Sequence, residues 1–432
     1  MKNKTKTILI IIGIVLTAFL LILIIGNSKC GDGICQKWEE RKGSCPQDCL
    51  VDGIPKEFVP LYTELEYQLN KFENNLPATA NKDHDPIFAA ELLTANSNRG
   101  KDLLAPNGII GANYELDRLE ELGVEGVVIS INFPLFYPPF HDDSSEQEAY
   151  LDFYKKVAES VDSRGMKLII ENNFIFTQEG ISTLNLKEFY NDLSIEEYHE
   201  ARSKTAITIA KELRPDYLTI VIEPDTEAKQ TGKPVNDVTL QTEYVNDVLN
   251  KLEENQITGV KIGAGVGTWH PEYKEFTTSF ANTDIDYIDT HVYPINHDFF
   301  ERVLTIADIA RSKGKPVTMS ETWLFKAAET ELGSVTETSV FARDAFSFWE
   351  PLDQKFLEVT VKLAYAEEFE FVSPFWTKYF YVYLDYDKVH RKSSEEIIAL
   401  SSAEAGKNIV EGGKFTSTGL KYKELIRNFD HF

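Results

Sequence analysis

A chain of 432 residues with 43 % hydrophobic content has enough apolar material for one large α/β barrel with small additions, or for two to three ordinary domains. A formal net charge of −25 argues against nucleic acid or an anionic membrane surface as a partner, and suits a surface facing neutral substrates such as glycans. No low-complexity tract points to extended disorder.

At the N-terminus, Lys2, Lys4 and Lys6 precede a charge-free apolar run from Ile8 to Ile25. In a helix that run spans about 27 Å, close to the ~30 Å hydrocarbon core of a bilayer. It is longer than the apolar part of most secretory signals, and Asn27-Ser28-Lys29 is a poor cleavage site. Residues 1–26 are therefore expected to form a cytoplasmic tip and transmembrane signal anchor, with the globular part extracellular. Cleaved secretion is the alternative, and it leads to the same compartment.

All four cysteines, Cys30, Cys35, Cys45 and Cys49, fall in the next segment, 27–50. Four clustered cysteines in an exported chain read as two disulfides, with three pairings open. The segment resembles a small Cys/Asp/Gly module recurrent in extracellular microbial proteins. Asp32, Glu39, Glu40 and Asp48 offer oxygen ligands for a structural calcium ion, although ordinary surface acids around a disulfide knot are the simpler reading. Zinc lacks its usual CxxC pair here. No other cofactor is expected, and no metal at the catalytic centre.

A linker and lead-in helix follow over 51–85, the helix marked by the stripe Leu61, Leu65, Leu69 and Phe72 within Leu61–Leu76. From 86 to 390 strand and helix patterns alternate. The strand candidates are Ile87–Leu92, Gly126–Asn132, Lys167–Asn172, Tyr217–Ile222, Val260–Gly265, Tyr287–His291, Val317–Ser320 and Phe369–Phe375. Helices are expected at Tyr114–Leu122, Gln147–Arg164, Ile195–Leu213, Leu240–Glu254, Phe299–Lys313 and Ser339–Glu368, with Gly123, Gly165 and Gly314 near three helix ends. Eight βα units predict a closed (β/α)8 TIM barrel of class α/β. A doubly wound sheet is the runner-up, but no GxGxxG follows the first strand. Residues 391–432 form a C-terminal extension with helices near Ser393–Ser401 and Leu420–Arg427, expected to pack on the barrel.

A barrel's active site lies at the C-terminal ends of its strands. Those ends carry Glu91, Asn132, Asn172 and Asn173, Glu223, Trp269, His291 and Tyr293, Glu321 and Trp323, and Trp376. Carboxylates, amides and aromatic rings are what a sugar requires, since hydroxyls hydrogen-bond and C–H faces stack. Neither a histidine-rich metal motif nor a GxSxG serine elbow is present. Glu171, Asp225 and Glu227 read as structural acids, with Glu227 a reserve acid should Glu223 be inert.

In this order the motifs resemble the retaining glycoside hydrolases of clan A. That resemblance implies an acid/base glutamate at the end of strand four, matched by Glu223-Pro224, and a nucleophile at the end of strand seven, matched by Ser320-Glu321-Thr322-Trp323. It also implies that Tyr293 of His291-Val292-Tyr293 orients the nucleophile and that Trp376 floors the adjoining sugar subsite. The remaining strand-end residues would bind substrate. Ile222 departs from the family, which has an asparagine there bonding the sugar 2-hydroxyl; Asn172 or Asn173 could replace it. The expected function is thus extracellular, membrane-anchored hydrolysis of a β-linked poly- or oligosaccharide by double displacement. An inactive barrel binding glycans or a cell-surface partner is the alternative.

Overall fold

The computed structural model describes residues 50–51, 53–77, 84–141, 143–176 and 186–427. The expected anchor and the cysteine module, with Cys30, Cys35, Cys45, Cys49 and the candidate calcium ligands, lie outside these residues. Among the described residues, no helix is long and apolar enough to cross a membrane.

After a short antiparallel pairing of Leu50–Val51 with Ile54–Pro55, eight parallel strands close into one barrel. They are β1 (Ile87–Glu91), β2 (Gly126–Ser130), β3 (Lys167–Glu171), β4 (Tyr217–Val221), β5 (Lys261–Gly267), β6 (Tyr287–Val292), β7 (Val317–Thr322) and β8 (Phe371–Pro374). Each neighbour pairs with the next, and β8 closes on β1 through Phe371 opposite Ile87. All eight strand expectations are met within two or three residues at either end.

Side chains on a strand alternate between its faces, so a single layer identifies the inward register. Ala89, Val128, Ile169, Tyr217, Tyr287 and Phe371 form that layer, an apolar cluster closed off from the outer core. Two residues further along, the same strands present Glu91, Ser130, Glu171, Thr219, Asp289 and Ser373, all buried. The barrel interior therefore changes from apolar to polar towards its C-terminal mouth. Glycine on β5 gives this packing its room. A Cβ on Gly263 would stand 2.1 Å from the Tyr287 ring, and one on Gly265 would stand 1.8 Å from the Asp289 carbonyl oxygen.

Helices cover the outside. The three glycines expected at helix ends adopt left-handed conformations, with φ of 92° at Gly123, 69° at Gly165 and 70° at Gly314. The lead-in helix Val59–Asn75 buries its Leu61, Leu65, Leu69 and Phe72 stripe, with Phe72 stacked on Phe300 at 4.1 Å. The expected helix Ser339–Glu368 is instead two, Glu337–Asp344 and Glu350–Ala366. Between them Phe346 is extended and bridges to Leu384, whose N–H donates to the Ala345 carbonyl, and Pro351 opens the second helix. Helices Ser394–Val410 and Ser417–Arg427 complete the chain's described part, and the Tyr422 hydroxyl reaches the Ala89 carbonyl of β1 at 2.8 Å.

Candidate active site

His291, near the end of β6, stands at the centre of the polar mouth. Its Nδ1 lies 2.6 Å from Glu223 Oε1 and 3.6 Å from Glu321 Oε2. Two contacts meeting at one nitrogen leave those carboxylate oxygens at most about 6.2 Å apart, which accommodates the ~5–5.5 Å separation of a retaining carboxyl pair. Glu223 follows β4 and begins the helix Pro224–Thr231, while Glu321 lies within β7. The Tyr293 hydroxyl donates to Glu321 Oε2 at 2.5 Å. Burial and the Glu321 charge both raise the Tyr293 pKa, so the phenol keeps the proton it donates.

On its other side, His291 Nε2 lies 3.1 Å from Glu171 Oε1 and 3.2 Å from Ser320 Oγ. Side-chain exposure separates the four groups: 12 % for Glu223 and 11 % for Glu321, against 2 % each for His291 and Glu171. The first two keep some exposure at the barrel mouth, and the other two are closed off from solvent.

Burial alone would favour neutral His291. The Glu321 and Glu171 charges, with hydrogen bonds to Glu171 and Glu223, outweigh it and hold its pKa well above the ordinary histidine value. Glu321 is pushed well above the usual carboxylate range, first by burial and then by Glu171. For Glu171 burial also opposes ionisation, but His291 and the bonds from His291, Ser320 and Glu321 prevail and lower its pKa. Of these two buried acids, Glu171 is the more easily ionised. Glu91 is raised by burial and by Glu171; one of its oxygens accepts from Asn96 at 2.9 Å and the other has no protein partner.

One atom each from Glu171, His291 and Glu321 falls within 4.8 Å of the others, a spacing that could enclose a small cation. A metal-bound histidine must offer a bare nitrogen. Here both ring nitrogens lie against carboxylates, and an imidazolium donating from each would satisfy them without a metal.

The other expected residues divide by position. Asn173 shares the inward face of Ile169 and Glu171; its N–H donates to Asn132 Oδ1 at 3.1 Å, and its own buried Oδ1 has no protein partner. Asn132 accepts that bond and has its N–H on Ser97, tying two loops together. Asn172 turns away, its side-chain NH2 donating to the Ile131 carbonyl and its backbone carbonyl accepting from Arg202, while its buried Oδ1 has no protein partner. That orientation removes it as a substitute for the family asparagine and leaves Asn173. Trp269 is half-buried, with Nε1 donating to Asp225 at 3.0 Å and its ring 6.0 Å from Tyr293. Trp376 is also half-buried, packed on Phe375 and Phe341 with both centroids at 4.9 Å, and the Lys378 ammonium sits over its ring.

Two readings need correction. Trp323 is only 1 % exposed and stacks on Tyr379, so its ring belongs to the packing beneath the loop after β8 and not to a sugar subsite. Glu227 is fully buried on Arg202 and Tyr198, which excludes it as a reserve acid. Conversely, Glu171 and Asp225 were expected to be merely structural, yet both touch candidate site residues. The parity of β3 was the available signal for Glu171, since Ile169 and Glu171 share a face. Nothing in the local sequence marks Arg202, which braces the site from outside by donating to the Asn172 and Ile220 carbonyls at 2.8 and 2.9 Å.

No protein-family model matches this chain, and no curated protein matches it in sequence. Among solved structures it is similar to a GH5_18 protein from Streptomyces cattleya in complex with GlcNAc, with a TM-score of 0.51 and 13 % identity over 82 % of this chain and 81 % of that one. A GH5_18 protein from Bifidobacterium longum subsp. longum in complex with Manβ1-4GlcNAc gives a TM-score of 0.50 and 15 % identity over 80 % and 79 %. At these identities the likeness establishes the fold, a parallel eight-stranded α/β barrel.

Proposed function

We propose that the chain is a retaining β-glycoside hydrolase in which Glu321 is the nucleophile and Glu223 the acid/base. The observation that carries this reading is the arrival of two partly exposed carboxyls, one following β4 and one on β7, on one nitrogen of His291. Glu321 attacks the anomeric carbon as Glu223 gives its proton to the leaving oxygen; water activated by Glu223 then releases the glycosyl-enzyme. Tyr293 holds the attacking carboxylate. Asn173 is the candidate partner for the sugar 2-hydroxyl, and Trp269 and Trp376 line the cleft. We also place the barrel outside the cell, held by the N-terminal anchor, a reading supported by the lysines ahead of the Ile8–Ile25 run.

The test is turnover on a panel of β-glycosides, Manβ1-4GlcNAc included, with the configuration of the first-formed product followed by NMR. Glu223→Gln and Glu321→Gln are each expected to lower kcat/KM at least ~10³-fold on the substrate the wild type cleaves. Binding of glycans without turnover would instead support an inactive barrel.

A further inference from the structure

We propose that Glu171 is a positioning residue for this double displacement, fixing the orientation of both reacting carboxyls through His291 and the charge state of Glu321 through its closeness to that carboxyl. The inference rests on the reading of Glu223 and Glu321 given above. Its warrant is geometric. An imidazole with a single N–H cannot donate to Glu223 at 2.6 Å and to Glu171 at 3.1 Å at once. An imidazolium donates to both, and an imidazolium at 2 % exposure requires a buried counter-charge. Glu171, equally closed off from solvent, supplies that charge. Its carboxylate also lies within 4.8 Å of the Glu321 carboxyl, so the same charge acts directly on the nucleophile.

The groups facing Glu171 are His291, Asp289, Tyr287 and Tyr293 from β6 and its following loop, Ser320 and Glu321 from β7, and Glu91 from β1. His291 is the only cation among them. Removing the Glu171 charge therefore acts in one direction on both key groups. Glu321 loses a neighbouring negative charge and ionises at lower pH, and His291 loses its counter-ion and gives up its proton at lower pH.

Two measurements on the purified full-length chain test this. In ¹⁵N-histidine NMR spectra of the wild type, His291 should carry protons on both nitrogens at neutral pH. In Glu171→Gln, which keeps the size and one acceptor oxygen, it should lose one at least about one pH unit earlier. In the kcat/KM–pH profile, both limbs should move to lower pH by about one unit or more, with the maximum lowered ~10- to 100-fold. A bell that only sinks, without moving, would reduce Glu171 to a packing role and overturn the proposal. A wild-type His291 with a single N–H at neutral pH would overturn it as well, without needing the variant to fold. Absence of glycoside turnover by the wild type would instead remove the functional reading, and with it the catalytic role of Glu171, while the spectra still decide whether the Glu171–His291 ion pair exists.

Discussion

Replacing Tyr293 by phenylalanine removes one hydroxyl and leaves the ring where it packs, 6.0 Å from Trp269 and 6.1 Å from Phe375 between centroids. What is lost is the 2.5 Å hydrogen bond donated to Glu321 Oε2. A bond from a neutral donor to a carboxylate contributes about 1.5–3 kcal/mol, more than a neutral pair because the acceptor is charged. Its worth is greatest when Glu321 is ionised, the state that attacks the sugar. Converted to rate, the loss is roughly 10- to 150-fold in kcat/KM. There is a second, directional consequence. The hydroxyl favours the ionised form, so its removal raises the Glu321 pKa further above the carboxylate range into which burial and Glu171 already push it. Since the nucleophile must be deprotonated, the acid limb of kcat/KM should move to higher pH in Tyr293→Phe. This is opposite to the shift expected of Glu171→Gln. The assay is initial rates across pH on the glycoside the wild type cleaves, with thermal unfolding as a control for folding. A variant within ~3-fold of wild type, or an acid limb that stays in place, would refute the assignment of Tyr293 as the partner of an ionised nucleophile.

Further outcomes follow from the frame around the site. Arg202→Met should cost about 3–5 kcal/mol in denaturant unfolding, because it leaves Glu227 buried without its cation and frees the Asn172 and Ile220 carbonyls. Adding Glu227→Gln to that variant should recover about 1 kcal/mol or more by removing the stranded charge. Gly265→Ala should be worse for melting temperature and activity than Gly263→Ala. Its Cβ meets the backbone of Asp289 at 1.8 Å, two residues before His291, whereas Gly263 faces the Tyr287 side chain. Wild-type kcat/KM should also have an acid limb above the ordinary carboxylate range of ~4, because the free enzyme must ionise Glu321 against burial and Glu171.

Much of the barrel was legible because parallel strands buried on both faces leave short β-branched and apolar runs, and three of the intervening helices are followed within three residues by left-handed glycines. The reading failed where long-range contact decides. Ser339–Glu368 carries a helical pattern throughout, yet Phe346 is claimed by Leu384 across a loop; Pro351 was the local warning. Trp323 follows Glu321 so closely that it reads as part of the site, but the turn Thr377–Phe380 after β8 packs over it. Glu171 is the reverse case. A glutamate ending an apolar strand looks ordinary until the inward register is known, and only the closed barrel brings it to His291 from β3. The Arg202–Glu227 pair joins residues 25 apart on two helices outside the strands, and no spacing rule connects them.

The most direct test of the account is to trap the intermediate. Full-length protein is incubated with 2-deoxy-2-fluoro β-glycosides of the sugar it cleaves, then digested, and the labelled peptide is sequenced by mass spectrometry. Double displacement across this site predicts a glycosyl ester on Glu321, formed in the wild type and absent in Glu321→Gln, with product of retained configuration. An adduct on another carboxylate, or first-formed product of inverted configuration, would contradict it.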